Sequence, residues 1–211
     1  MSDTLTTALV EMREDDVLAQ VRASQDAGAA PTDIIAALQD GMRTIGDKYE
    51  AGEYFLSELI MSAEIFKRAL AELGLDQAAV DIDAQGTVVL GTVAGDIHDI
   101  GKNIVAGVLG ANGFKVVDLG VDVSAEAFIS AVNQNDAQVV GLSCLLTTAF
   151  AAMKSTIEAF EEAGVRNKVS IFIGGGPVTT HLAEQLGADG AGLSAQEAVV
   201  LARSAAAGGA S

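Results

Sequence analysis

Residues 95–104 read GDIHDIGKNI. His98 is one of only two histidines in the chain, and Asp96 and Asp99 flank it. An imidazole two residues from a carboxylate has two readings. It can be a loop histidine whose ring N–H is satisfied by its neighbour. It can also be a metal ligand, because a carboxylate that takes one ring N–H fixes the tautomer and raises the basicity of the other nitrogen. The second histidine, His181, lies far along the chain within VTTHLAEQ and reads as a helical surface residue. The single cysteine, Cys144, follows an apolar run and reads as a small residue of a core or pocket wall. These do not assemble the three or four His, Cys or carboxylate ligands of a zinc site. One offered ligand suits a metal whose other ligands come from a macrocycle.

The surrounding pattern says what positions His98. Upstream, TVVLGTV (Thr87–Val93) is an apolar, β-branched strand; downstream, a helix runs from about Asp99 to Gly110. The alternation continues with strand FKVVDLG, a helix near Ala125–Asn133, strand AQVVGLS and a helix over Thr148–Ala163. Strand KVSIFIGGG, a short helix near Val178–Leu186 and a last helix over Ala195–Ala205 complete it. Strands without polar alternation are buried on both faces, which predicts a doubly wound α/β parallel sheet wrapped by helices. Ligands of such folds sit at the carboxyl ends of the strands, near the topological switch point. DIHDIG, SCLLTT and GGGPVTT each follow a strand and are expected to converge on one edge.

Before Thr87 the periodicity is helical. PTDIIAALQDGMRTIGDKYEAG opens on Pro31, which suits a first helical turn. Its Ile34, Ile35, Leu38, Met42 and Ile45 recur at helical spacing, as do Phe55, Leu59, Ile60, Ala63, Phe66, Leu70 and Leu73 in the next segment. With DDVLAQVRASQDAG and a short helix before Asp15, this predicts a four-helix bundle over residues 1–74. GLDQAAVDIDAQG is polar and bounded by glycines, which predicts a linker over 75–86 and an α/β domain over 87–211.

Half of the 211 residues are hydrophobic, ample for one large or two small domains. The formal net charge is −17, which argues against nucleic acid, since binding there needs a basic surface. The charge serves solubility, or steers the chain toward a basic protein partner. No apolar run reaches the roughly 18–20 residues of a membrane span, and the acidic N-terminus lacks a secretory pattern. A single cysteine allows no intrachain disulfide. The expected location is the cytoplasm. A phosphate loop fails on spacing, with five residues between Gly95 and Gly101 and Asn103 in place of Ser or Thr. GGGPVTT could cradle phosphate on a helix N-terminus but lacks the dinucleotide spacing.

DIHDIG (Asp96–Gly101) matches D-x-H-x-x-G; Ser143-x-Leu145 and Gly174-Gly175 follow in order. This set resembles the signature of cobalamin-binding domains. GDKYEAGEYFLSEL (Gly46–Leu59) is similar to the helical cap of methionine synthase and its small corrinoid relatives. The resemblance covers nearly the whole chain and is to the corrinoid methyl-carrier proteins of the methanol, methylamine and methoxyarene methyltransferase systems. It implies a helical cap followed by a flavodoxin-like (Rossmann-like), five-stranded, doubly wound parallel sheet. It implies a cobalamin or related corrinoid bound base-off, cycling between Co(I) and methyl-Co(III), with methylcobalamin as the loaded state.

Residue roles implied by the resemblance are these. His98 replaces the cofactor's benzimidazole as lower cobalt ligand, and Asp96 is its partner, with Ile97, Asp99 and Gly101 in the same motif. Ser143 and Thr147 hydrogen-bond the nucleotide tail, Leu145 lines its channel, and Gly174, Gly175 and Gly176 leave room for it. Tyr49 and Leu56 of the cap cover the upper face. The implied partners are a substrate-specific corrinoid methyltransferase, a second methyltransferase serving a thiol or folate/pterin acceptor, and a reductive activation protein. The chain is then a component of a multi-component enzyme rather than a complete one. A cobalamin-dependent sensor, a mutase subunit and a flavodoxin-like module without corrinoid stand as alternatives. Four positions depart from the pattern of the relatives: Tyr49 stands where methionine synthase has phenylalanine, Ala149 where some relatives carry a hydroxyl that helps hold the Asp–His pair, and Ala191 and Ser194 where tyrosine and aspartate are more usual.

Overall fold

The computed structural model describes residues 2–75 and 85–208. Residues 76–84, most of the expected linker, lie outside them. Packing divides the chain into two compact units, residues 1–84 with 110–113, and residues 85–109 with 114–211.

The first unit contains four helices: α1 (Ser2–Val10), α2 (Glu14–Asp26), α3 (Pro31–Glu50) and α4 (Leu56–Glu72). α1 and α4 each pack on both α2 and α3. Leu9, Val17, Val21, Leu38, Met42, Ile45, Leu59, Phe66 and Leu70 form its core. The α4 series of the sequence reading needs two corrections: Phe55 is 69% exposed and Ile60 is 39% exposed. Leu59, Ala63, Phe66 and Leu70 already define the inward stripe, and Ile60 lies one residue (about 100°) round the helix from it. Phe55 precedes α4 as its N-cap residue, where its N–H donates to Glu58 Oε2 at 2.8 Å.

The second unit alternates β1 (Thr87–Thr92), α5 (Ile100–Ala111), β2 (Lys115–Asp118), α6 (Ala125–Asn135), β3 (Val139–Ser143), α7 (Phe150–Glu162), β4 (Ser170–Gly174), α8 (Thr180–Leu186), β5 (Gly190–Gly192) and α9 (Ala195–Gly208). All pairings are parallel and the order is β2-β1-β3-β4-β5. This is the flavodoxin-like doubly wound sheet, whose switch point lies between β1 and β3. β1 is buried from Val88 onward, and Val140, Leu142, Ile171 and Ile173 continue the core across the sheet. Phe128 of α6 and Met153, Ile157 and Phe160 of α7 pack against it. Truncating a fully buried phenylalanine such as Phe128 costs about 3–5 kcal/mol. The helix expected from Thr148 begins instead with a 3-10 turn, Thr147–Ala149, before α7.

Candidate cofactor-binding site

The site forms at the carboxyl ends of β1 and β3. Asp96 follows β1, is fully buried and uses both carboxylate oxygens. Oδ1 lies 2.7 Å from His98 Nδ1 and accepts the His98 backbone N–H at 3.0 Å. Oδ2 accepts the backbone N–H groups of Leu145 at 2.6 Å and Leu146 at 2.9 Å, both just beyond β3. Burial alone would raise the carboxyl's pKa, but the bonds from Leu146, the His98 ring and backbone, and Leu145 outweigh it. Asp96 is therefore held well below the usual carboxylate range, ionised and facing the ring.

Ala149 is buried, and two backbone N–H groups hold the second oxygen of Asp96. Thr92, buried at the end of β1, donates its hydroxyl to the His98 carbonyl at 3.0 Å. His98 is thus fixed through its N–H, its carbonyl and Nδ1, while its side chain is 47% exposed. With Nδ1 directed to Asp96, Nε2 is the nitrogen left to a ligand.

The surroundings fit a flat apolar macrocycle carrying a metal. Ile97 and Ile100, on either side of His98, are 72% and 76% exposed. Leu145 and Leu146 are also exposed. Apolar side chains left open around a polar ligand are the usual lining of a cofactor site. A Cβ added at Gly101 would meet no protein atom within 4 Å. The chain's own packing therefore does not require that glycine.

The tail-site candidates come together in register. Thr92, Ser143, Gly174 and Gly192 are successive partners across the ends of β1, β3, β4 and β5. Thr147 is exposed at the start of the 3-10 turn. The glycines have internal reasons for being glycine. A Cβ on Gly175, at φ +136°, would lie 1.8 Å from the Cys144 carbonyl oxygen. One on Gly174 would meet the Gly192 oxygen at 3.2 Å, and one on Gly176 would meet Leu145 Cδ1 at 3.2 Å. Asp99 accepts from Asn103 Nδ2 at 3.1 Å in the first turn of α5. Tyr49 and Leu56 lie on α3 and α4 of the helical unit; Tyr49 is half-buried and Leu56 exposed.

Cys144 is fully buried and donates to the Leu146 carbonyl at 3.1 Å. Burial first, and the Asp96 carboxylate second, push its thiol up to about 11, so it is no nucleophile at neutral pH. His181 is exposed on α8, as its pattern predicts. Among the described residues no cluster of three or more His, Cys, Asp or Glu could hold a metal ion.

The sequence reading missed three side chains that hold the histidine loop. Lys102 of α5 is buried, and its Nζ donates to Asp118 Oδ1 at 2.7 Å and Oδ2 at 2.5 Å. Asp122 Oδ1 accepts the Gly95 N–H at 2.7 Å. The available signal was DLGVD, two carboxylates flanking a glycine directly after a strand.

A doubly wound sheet with a half-exposed, carboxylate-bonded histidine at its switch point, and exposed aliphatics at the neighbouring strand ends, is the class of module that takes a cofactor there. Comparison with known proteins gives that class its identity. A B12 binding domain family matches residues 86–200, and a second family of the same description matches residues 1–73. A corrinoid protein of Desulfitobacterium hafniense (strain Y51) is 38% identical over 205 residues, covering 95% of this chain and 94% of that protein. The trimethylamine corrinoid protein of Methanosarcina barkeri is 39% identical over 196 residues, covering 90% of each. A crystal structure of the methanol:cobalamin methyltransferase complex from Methanosarcina barkeri superposes with a TM-score of 0.83 at 34% identity, covering 97% of this chain and 79% of that one. The chain belongs to the corrinoid proteins, the cobalamin-binding methyl carriers.

Proposed function

We propose that this chain carries a methyl group between a substrate-specific methyltransferase and a second methyltransferase, with His98 as the lower ligand of its corrinoid. The observation that carries the reading is the His98–Asp96 pair, held at the β1/β3 switch point with Nε2 left for a ligand. When bound, the corrinoid supplies a cobalt centre that takes up and gives up a methyl group. The chain's own residues do the rest. Asp96 keeps the Nδ1–H tautomer and makes Nε2 a stronger donor. Ile97, Ile100, Leu145 and Leu146, exposed in this structure, would exclude water from a bound corrinoid. Ser143 and Thr147 would offer hydroxyls to the cofactor's nucleotide tail, and Gly174, Gly175 and Gly176 would be the glycines beside it.

The domain limits are 1–74 and 87–211. The likeness to a methyltransferase complex and to methylamine corrinoid proteins supports a methyltransferase as first partner. A reductive activation protein restores the carrier when it is oxidised. The proposed site of action is the cytoplasm; among the described residues no helix is long and apolar enough to cross a membrane.

The test is reconstitution. The chain mixed with hydroxocobalamin and dialysed should retain one equivalent, with the spectrum of a cobalt that carries an axial nitrogen ligand. After reduction it should accept one methyl group from methyl iodide per bound corrinoid. Purification with an adenosyl upper ligand and no methyl acceptance would contradict the carrier reading and favour a sensor or mutase subunit.

A further inference from the structure

The loop between β2 and α6 does more than connect them. β2 is the edge strand, and its ladder with β1 ends at Leu90 and Asp118. Beyond that point the loop stays on β1 through the Gly120 and Val123 backbones, which bond to Thr92 at 3.0 Å each. Two carboxylates then reach past the strand. Asp122 accepts the Gly95 N–H at 2.7 Å, and its own N–H donates to the Asp96 carbonyl at 3.0 Å. Asp118 receives Lys102 Nζ on both oxygens and the Gly120 N–H at 2.9 Å. The third Lys102 proton goes to Asn103 Oδ1 at 2.7 Å. One aspartate therefore grips the chain just before His98 and the other just after it. Residues 96–99, between the two grips, have no regular secondary structure.

Both grips carry a local cost. Asp122 is a non-glycine residue at φ 54°, in the left-handed region. Lys102 places a charged ammonium at 3% exposure, which is tolerated only with complete pairing. Neither device extends the sheet. Strained backbone and a buried charge, placed at the two ends of the loop that carries His98, point to a function they protect.

We propose that Asp118, with Lys102, and Asp122 are positioning residues that fix the His98 loop from both ends and so set how completely the imidazole ligates the corrinoid metal. This rests on His98 being the lower ligand. Neither aspartate touches that ligand position; each acts through the backbone that carries His98.

The experiment is electron paramagnetic resonance of the cobalt(II) state of the full chain at saturating hydroxocobalamin, reduced to that state. The readout is the fraction of cobalt signal split into three by an axial nitrogen. Asp122→Ala removes one grip. Lys102→Met with Asp118→Asn removes the other without leaving a buried unpaired charge, and keeps an acceptor for Gly120. Each should shift the ligated-to-unligated ratio toward unligated by about tenfold, the size expected for one charge-assisted hydrogen bond lost from the ordered state. Asp122→Asn keeps the acceptor and tolerates a left-handed φ, so its spectrum should return to that of the wild type. A wild-type ratio in both disrupted variants, or a shift in Asp122→Asn as large as in Asp122→Ala, would overturn the proposal. If the wild type itself shows no nitrogen splitting, the lower-ligand reading fails first and takes this proposal with it.

Discussion

Asp96 is the side chain on which the site is built. It sits in a fully buried position, bonded to the histidine ring, the histidine N–H and two N–H groups beyond the neighbouring strand. Burial raises its pKa, the four bonds lower it, and the net direction is well below the unfolded value of about 4. The sign for stability follows. A carboxyl depressed in the folded state contributes stability that is complete above its unfolded pKa and is lost as pH falls toward its folded pKa. Thermal unfolding of the wild type should therefore weaken steeply below about pH 4. Asp96→Asn should be less stable at neutral pH by about 1–3 kcal/mol, because an amide cannot accept all four bonds. It should also lack this component of the acid slope. Parallel acid slopes for the two proteins would contradict the assignment.

At the scale of elements, the strand ends decide where the chemistry sits, and glycines decide how the strands end. Gly175→Ala should cost about 3 kcal/mol or more, since its Cβ would penetrate the Cys144 carbonyl and its φ is positive. Gly176→Ala should cost well under half of that, because its Cβ meets only the flexible tip of Leu145 at 3.2 Å. Urea unfolding of both variants measures the difference; equal losses would contradict the packing account. The same contrast shows what was legible in the sequence. β1, β3 and β4 are β-branched apolar runs, and the helices between them follow their periodicity. β5 is Gly190–Gly192, a Gly-Ala-Gly segment with no strand propensity of its own. It is a strand because it pairs with β4, so a five-stranded sheet was expected without a position for its last strand. His98 and Asp96 were readable because they lie two residues apart. Their support from Leu145 and Leu146, and the grips of Asp118, Asp122 and Lys102, come from tertiary contacts that no local pattern carries.

At the scale of the molecule, charge is distributed unevenly. Residues 1–84 hold 17 of the 29 acidic side chains but only half of the 12 basic ones. Several of those basic groups are engaged in ion pairs within the helical unit, Arg22 with Glu72, Arg68 with Glu14 and Lys48 with Glu53. Exposed pairs of this kind contribute little stability, and the surface of the unit remains strongly negative. A carrier that must meet its methyltransferases repeatedly gains from steering by such a field. Methyl-transfer rate constants measured below saturation should fall as salt rises, since screening acts beyond a Debye length of about 8–10 Å. A rate independent of salt would leave the charge with solubility alone.

The most direct test of the central claim is the electron paramagnetic resonance spectrum of the cobalt(II) state, compared between the wild type and His98→Ala after loading with hydroxocobalamin. The wild type should show each cobalt line split into three by a single axial nitrogen. His98→Ala should retain much of the corrinoid, because the strand-end residues assigned to the tail are untouched, and should lose that splitting. Persistence of the three-line pattern in His98→Ala, from another nitrogen of the protein, would contradict the account.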